Sequence, residues 1–185
     1  MHVASSLWSR LDVPGHDACW VERNADGWTV RGVAAFAHEG GPAALRYRVD
    51  CTAEWITRTG EVQGTVGTER VELSIERDHG GRWTLNGVEA GAVTGLADLD
   101  FGFTPATNYQ QLQRIALGVG QAADVTVAWI DVDSRELTVL PQRYARRDER
   151  SYWYESPTAG YEALLSLRDD GLIAEYPGLW RAIGT

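Results

Sequence analysis

The 185-residue sequence contains no lysine, so all 17 of its basic residues are arginine. The 26 aspartates and glutamates outnumber them and give a formal net charge of −9. Proteins that bind nucleic acid present a basic face to the phosphates, and anionic bilayers repel acidic surfaces. The charge therefore predicts that nucleic acid is not a partner.

Long apolar runs are also missing. No segment approaches the ~20 consecutive apolar residues that span a bilayer, so we expect no integral membrane segment. The opening stretch, MHVASSLWSRLDVPG, lacks the positively charged region and the apolar run of a secretory signal. These absences predict a cytoplasmic location.

Motifs for metals, cofactors and nucleophiles are absent as well. Cys19 and Cys51 have neither CxxC nor metal-ligand spacing, which predicts two buried thiols rather than a disulfide. No GxSxG elbow and no glycine-rich phosphate-binding motif occurs. We therefore expect no metal and no cofactor.

Aromatic residues, in contrast, are abundant, with eight Trp, seven Tyr and three Phe. Apolar and charged residues alternate in stretches such as ALRYRVDC, which is typical of strands buried on one face. Turn sequences such as NADG and DHGG separate these stretches. The pattern predicts one domain over residues 1–185, mainly β with α+β character, with about ten antiparallel strands and one main helix.

The segment DLDFGFTPATNYQQLQRI, residues 98–115, contains the predicted helix. Alternation places Leu99, Phe101 and Phe103 on one face of a strand, and Pro105 should end that strand. TNYQ matches a capping box, in which a hydroxyl accepts from the third helical amide. The segment thus predicts a helix near 107–117 that begins at Thr107.

The same segment has polar residues that a core does not explain. Asp98 and Asp100 share a strand face and repel each other unless they are solvated, paired with a cation or sharing a proton. Arg114 is the nearest candidate partner in sequence, and Asn108 lies between them. We predict that these four residues form a polar cluster whose primary role is to fix the junction between strand and helix.

The acid-rich strand, the TPxTN turn and the arginine-containing helix in DLDFGFTPATNYQQLQRIAL resemble the signature of the putative glycolipid-binding family. RLDVPGHDAC, YRVDCTAEW and the C-terminal run from YARRDERSYWYES to LRDDGLIAEYPGLWRAI extend this resemblance over nearly the whole chain. The resemblance implies a spiral β-roll, in which a long curved antiparallel sheet wraps around one main helix. That architecture is similar to bacterial lipoprotein carriers and related lipid-binding proteins.

The predicted function is the binding of an amphipathic or glycolipid-like small molecule in the concave interior of the roll, for which a cavity of roughly 300 Å³ or more is expected. An enzyme that uses Asp98 or Asp100 as acid or base is one alternative. A module that binds another protein through an exposed edge strand is the other. Glu155 would be a further acid if it lay buried near the two aspartates. The candidate ligand-binding residues are Asp98, Asp100, Thr104, Thr107, Asn108, Arg114, Trp55, Tyr152, Tyr154 and Glu155.

Overall fold

The structure is a computed structural model that describes residues 1–184. It contains one α-helix, α1 (Ala106–Ile115), and two single 3-10 turns, Gly91–Val93 and Pro157–Ala159. The strands are β1 (His2–Arg10), β2 (Gly15–Arg23), β3 (Trp28–His38), β4 (Gly41–Cys51), β5 (Thr57–Val66), β6 (Glu69–Arg77), β7 (Trp83–Leu85), β8 (Val88–Glu89), β9 (Leu99–Phe101), β10 (Ala122–Ile130), β11 (Thr138–Arg146), β12 (Ser151–Ser156), β13 (Tyr161–Leu167), β14 (Ile173–Tyr176) and β15 (Trp180–Ala182).

All fifteen strands belong to one sheet, in the order β8-β7-β6-β5-β4-β3-β2-β1-β15-β14-β13-β12-β11-β10-β9. Every pairing is antiparallel except that of β9 with β10, which is parallel. The first and last strands pair with each other in the middle of the sheet. The prediction of a mainly β fold with a long antiparallel sheet and one helix is confirmed.

The strand count is higher than the ten or so that alternation predicts. Five of the strands, β7, β8, β9, β14 and β15, have only two to four residues. Such short segments contain too few alternate positions to show a period of two. The remaining ten strands have six to eleven residues, which is long enough for alternation to show.

The sheet curls without closing into a barrel, since the edge strands β8 and β9 do not pair with each other within residues 1–184. Its curvature brings β9 against the first residue of β5. There the Thr57 amide donates to the Ala97 carbonyl at 2.9 Å, and the Thr57 hydroxyl accepts from the Leu99 amide at 3.0 Å. The helix therefore lies inside a roll with strands on several sides.

The inward faces of the long strands form the core. In β4, Leu45, Tyr47, Val49 and Cys51 are buried while the residues between them face solvent or are half-buried, as the alternation predicts. Both cysteines are buried free thiols. Leu99, Phe101 and Phe103 are also buried.

The helix begins one residue earlier than predicted and is not closed by a capping box. Pro105 is its N-cap, without a side-chain capping bond, and the Thr104 hydroxyl accepts from the Ala106 amide at 3.0 Å. The Thr107 hydroxyl is directed to the strand, where a carboxylate provides a stronger acceptor. The helix ends at Ile115, because Ala116 adopts a left-handed conformation with φ 42°. The capping-box prediction is therefore wrong.

Candidate functional site

Side chains from the helix and from β5 fix β9, the innermost edge of the sheet. Its free edge presents the amides of Leu99 and Phe101 and the Leu99 carbonyl. Thr57 and Thr107 accept from the two amides, at 3.0 and 3.2 Å, and Gln110 donates to the carbonyl. The edge is therefore occupied by the protein's own side chains and cannot add a strand from a partner.

The opposite edge strand, β8, is too short to pair well with a strand of another protein. β8 consists of Val88 and Glu89, both exposed. Strand addition gains its affinity from main-chain hydrogen bonds along an extended edge. The part of the chain that the structure describes thus gives the protein-binding alternative an edge of only two residues.

Asp98 and Arg114 form an ion pair between the start of β9 and the helix. The Nε and Nη2 atoms of Arg114 lie 2.6 to 3.0 Å from the two carboxylate oxygens, so the contact is bidentate. Asp98 is fully buried, and 27% of the Arg114 side chain is exposed. Burial raises the pKa of Asp98, and the hydrogen bonds from Arg114 oppose that shift.

Asp100 is buried without a cationic partner among residues 1–184. One of its oxygens accepts from the Thr107 hydroxyl at 2.6 Å and the other from the Gln142 amide at 2.7 Å. Burial is the main reason that its pKa is raised to about 6, and the nearby charge of Asp98 adds to the shift. The acid can therefore exchange a proton close to neutral pH.

The Tyr144 hydroxyl connects the helix to β11. It accepts from the Asn108 side-chain amide at 2.8 Å and lies 2.7 Å from the side-chain oxygen of Gln111. It is also 3.2 Å from the side-chain oxygen of Gln142, which binds Asp100. Asn108 and Gln111 of α1 thus belong to one buried network that reaches Asp100 through Tyr144 and Gln142.

A third buried carboxylate, Asp17 on β2, lies on the other side of the strand-to-helix junction. It accepts from the Tyr47 hydroxyl at 2.9 Å and from the Thr104 hydroxyl. Tyr47 can reach it because Gly32 lies beneath the tyrosine, where an added Cβ would be 2.2 Å from the hydroxyl oxygen. Burial raises the pKa of Asp17 to about 7.

Beside Asp100 the roll contains a cavity of about 280 Å³, called the inner cavity below. Tyr154, Tyr161 and Tyr176 form one wall, with ring centroids 5.3 to 6.1 Å apart. The other side chains and backbone that line it come from the β9–α1 junction, β10, β11 and the C-terminal strands. The complete lining is Asp100, Phe101, Gly102, Thr104, Pro105, Asn108, Trp129, Leu140, Tyr154, Ser156, Ala159, Tyr161, Tyr176, Leu179 and Trp180.

The polar groups of the inner cavity are not all satisfied by the protein. The Ser156 hydroxyl is buried and has no hydrogen-bond partner among the described residues. Such a group costs about 1–3 kcal/mol unless a water or a ligand completes it. An unpaired hydroxyl and a carboxylate therefore share a space walled by aromatic rings.

A larger groove of about 860 Å³ lies outside the roll, along β5, β6 and β7. Arg58, Arg77 and Arg82 line it, and no aromatic side chain does. In a groove that faces solvent between charged side chains, water competes with a ligand for hydrogen bonds. The inner cavity is the better candidate site despite its smaller volume, because most of its lining residues are buried and aromatic rings form one wall.

Four of the ten sequence-predicted site residues line the inner cavity, namely Asp100, Thr104, Asn108 and Tyr154. Thr107 lies behind Asp100 and donates to it. Asp98 and Arg114 pair with each other outside the lining. The four residues expected to form one cluster therefore lie in two places. Asp98 and Arg114 form an ion pair, whereas Asp100 and Asn108 line the inner cavity.

The remaining three predicted residues lie elsewhere. Trp55 stacks on Trp28 with ring centroids 4.4 Å apart. Tyr152 is buried on β12, and the Arg146 guanidinium lies 5.6 Å from the centre of its ring. Glu155 is half-buried and accepts from the Trp153 indole at 2.9 Å, so it is not a third buried acid beside Asp98 and Asp100.

Sequence reasoning missed Asp17 and Gln142, although a signal was present. Asp17 alternates with Cys19 and Val21 on the inward face of β2, and Gln142 precedes the inward Tyr144 by two residues. A polar residue at an inward position of a strand must find a buried partner. Neither Asp17 nor Gln142 lines the inner cavity, and the lining residues that the sequence did not single out include Trp129, Ser156, Tyr161, Tyr176 and Trp180.

Two further features bear on the class of site. Within residues 1–184, no group of three or more His, Cys, Asp or Glu side chains is placed to hold a metal ion. Among residues 1–184, no helix is both long enough and apolar enough to span a membrane.

Residues 5–182 match the sequence model of a family described as putative glycolipid-binding. The chain also resembles the crystal structure of a DUF1089 family protein from Pseudomonas aeruginosa, with a TM-score of 0.78 and 26% identity. That likeness covers 90% of this chain and 92% of the other. None of the curated proteins matches the chain.

Proposed function

Because the chain belongs to the putative glycolipid-binding family, we propose that it binds an amphipathic small molecule of glycolipid type, with the headgroup in the inner cavity. The observation that supports this proposal is the wall of Tyr154, Tyr161 and Tyr176 beside an acid and an unpaired hydroxyl. Tyrosine and tryptophan present a large apolar surface with a polar edge, which suits a ligand that has both kinds of surface.

The cavity volume limits how much of the ligand can enter. About 280 Å³ lies just below the range of roughly 300–1,000 Å³ that is typical of sites that enclose a small molecule. The inner cavity therefore accommodates a headgroup of about one ring and excludes a long acyl chain. Half-buried Leu140 and Leu179, with the exposed Ala159, leave an apolar rim on which a chain can rest.

Isothermal titration calorimetry with n-octyl β-D-glucopyranoside, below its critical micelle concentration, tests the proposal. Ala159→Trp places a large side chain at the exposed rim of the cavity and should weaken binding at least tenfold. Thr158→Trp is the matched control, because Thr158 is exposed in the same 3-10 turn but does not line the cavity. Equal binding by both variants and the parent would refute binding in the inner cavity.

An acid–base enzyme is the second candidate, and one observation favours it. The pKa of Asp100 is raised to about 6, and a general acid or base works best when its pKa is near the working pH. Asp98 does not fit this role because Arg114 holds both of its oxygens. Turnover of aryl glycosides that Asp100→Asn abolishes, with binding retained, would establish catalysis.

The cytoplasmic location expected from the sequence stays a prediction. A cytoplasmic protein would meet glycolipids mainly as biosynthetic intermediates or at the inner leaflet. Fractionation of the native host cells tests this. Recovery of the protein from an extracytoplasmic fraction would overturn it.

A further inference from the structure

The inner cavity has one acidic side chain and no basic one in its lining. Asp100 is the one aspartate or glutamate in its lining, and no arginine or histidine lines it. The guanidinium of Arg10 does pack on a lining ring, 5.3 Å from the centre of Trp180. It is held by Asp12 through two hydrogen bonds of 2.8 and 2.9 Å, so its charge is already compensated.

The polar atoms of the cavity can accept further hydrogen bonds. The Asp100 oxygens accept from Thr107 and Gln142, and the Gln111 side-chain amide also lies near them, whereas a carboxylate has about four acceptor positions. The Ser156 hydroxyl lies near the Tyr154 hydroxyl but makes no well-aligned hydrogen bond with the described residues, and it can accept or donate. Ligand hydroxyl groups would complete both.

An anionic headgroup does not suit these surroundings. Burial of a charge is costly unless an opposite charge or several donors compensate it. The carboxylate of Asp100 would oppose a sulfate or phosphate inside the cavity, where the effective dielectric constant is low. The cavity offers no guanidinium to offset this repulsion.

A quaternary ammonium headgroup also fits poorly. Cation–π recognition requires a cation within about 6 Å of several ring faces. Tyr154, Tyr161 and Tyr176 pack against one another, with centroids 5.3 to 6.1 Å apart, and leave no space for a cation between them. A quaternary ammonium group also has no hydrogen to donate to Asp100 or Ser156.

We infer that the inner cavity selects an uncharged, hydroxyl-bearing headgroup of about one sugar ring and discriminates against the same headgroup carrying an anionic substituent. This inference rests on the proposed function, because it names the chemistry of the ligand in the same cavity. Asp100 and Ser156 bind the hydroxyl groups, and the tyrosine wall contacts the apolar face of the ring.

Three probes with the same alkyl chain test the inference by calorimetry at pH 8, each below its critical micelle concentration. They are n-octyl β-D-glucopyranoside, its 6-sulfate and n-octyltrimethylammonium. The neutral glucoside should bind at least tenfold more tightly than either of the others. Asp100→Asn should reduce the preference over the 6-sulfate about tenfold, because it removes the repelling charge.

If Asp100→Asn does not fold, the preference is measured instead on the parent protein at pH 5.5 and pH 8. The sulfate keeps its charge between pH 5.5 and pH 8, whereas the pKa of Asp100 lies at about 6, so lowering the pH should reduce the preference. The tyrosines near this carboxyl, Tyr144, Tyr154 and Tyr176, have pKa values raised above 10 and stay neutral over this range. Asp17 accepts from the lining Thr104 and its pKa is raised to about 7, so it titrates in the same range and the pH series is repeated on Asp17→Asn, which should keep the decrease. Arg114 contacts Asp98 and not Asp100.

The outcomes separate this inference from the proposed function. If the 6-sulfate or the ammonium probe binds as tightly as the glucoside, and Ala159→Trp abolishes that binding, the headgroup inference fails while the proposed function stands. A preference that neither Asp100→Asn nor acidic pH reduces also overturns the inference. If none of the probes binds, both fail.

Discussion

Arg114 binds Asp98 through two nitrogens, at 2.6 to 3.0 Å, and so connects the last turn of α1 to the residue that precedes β9. The positive charge also lies at the helix C-terminus, where the helix dipole favours a cation. Neither residue lines the inner cavity. The pair therefore has the position of a structural connection between the helix and the edge of the sheet.

Replacement of Arg114 by alanine should destabilise the fold without changing ligand affinity. It leaves Asp98 buried without its partner, and breaking a buried pair costs about 3–5 kcal/mol. Partial exposure of Arg114 favours the low end, which corresponds to a melting temperature about 6–12 °C lower. Differential scanning calorimetry measures the shift, and titration with octyl glucoside provides the control. An unchanged melting temperature together with lost binding would assign the pair to the functional site.

Stability should fall as the pH rises from about 4 to 7. Burial raises the pKa of Asp17 to about 7 and that of Asp100 to about 6, above the value of 3.8 expected for an unfolded aspartate. In this window the unfolded chain has released protons that the folded protein retains, so higher pH favours unfolding. Above about pH 7 both states are ionised at these positions and the trend levels off.

The size of this effect follows from about 1.4 kcal/mol per pKa unit. The shift of Asp17 corresponds to about 4 kcal/mol, as an order of magnitude, because the group is fully buried. Urea denaturation at pH 4, 5, 6, 7 and 8 measures it. Asp17→Asn should remove the larger part of the slope. A variant with the same slope as the parent would show that Asp17 does not titrate in this range.

Ser156→Ala should separate stability from binding. The hydroxyl of Ser156 is buried without a partner, so its removal should leave the free energy of unfolding unchanged or raise it by up to about 1 kcal/mol. Affinity for octyl glucoside should fall about fivefold, because one hydrogen bond of about 1 kcal/mol is lost.

Ser6→Ala is the matched control for that variant. Ser6 on β1 is also buried without a partner but does not line the inner cavity. Its removal should have the same effect on stability and none on affinity. Equal loss of affinity in both variants would contradict a specific role for Ser156.

The sequence predicted the long strands because alternation records which face of a strand is buried. It could not predict that α1 would be buried on nearly all sides. The stretch TNYQQ is polar, yet Gln110 and Gln111 have no exposed surface. Their partners, the Leu99 carbonyl and the Tyr144 hydroxyl, lie on strands 11 and 33 residues away in sequence. Burial of such a helix depends on tertiary hydrogen bonds that no local period reveals.

The candidate site was predictable only in part for a related reason. Asp100 and Asn108 could be identified from the sequence because core packing does not explain polar residues at their positions. The tyrosine wall comes from β12, β13 and β14, whose residues also satisfy the pattern of ordinary core positions. Alternation shows which side chains of a strand point into the roll. It does not show whether those side chains fill the interior or line a cavity.

Thr107 provides a test that distinguishes the observed junction from the capping box expected from the sequence. Its hydroxyl donates to Asp100 at 2.6 Å and accepts from the Phe101 amide at 3.2 Å. Thr107→Val keeps the shape but leaves that buried amide without an acceptor. The free energy of unfolding should fall by at least about 2 kcal/mol, which corresponds to a melting temperature about 4–8 °C lower. Thr107→Ser keeps both bonds and should stay close to the parent.

Thr107→Asp separates the two geometries most clearly. At a helix N-cap, aspartate is as good as or better than threonine, so a capping role predicts an unchanged or higher melting temperature. In the observed geometry the new carboxylate would be buried against Asp100, and two carboxylates in contact cannot both ionise without a large cost. We therefore expect a strong loss of stability at pH 8 that is partly recovered at pH 5.5, where the pair can share a proton. A variant that melts like the parent at pH 8 would show that Thr107 caps the helix and does not bind Asp100.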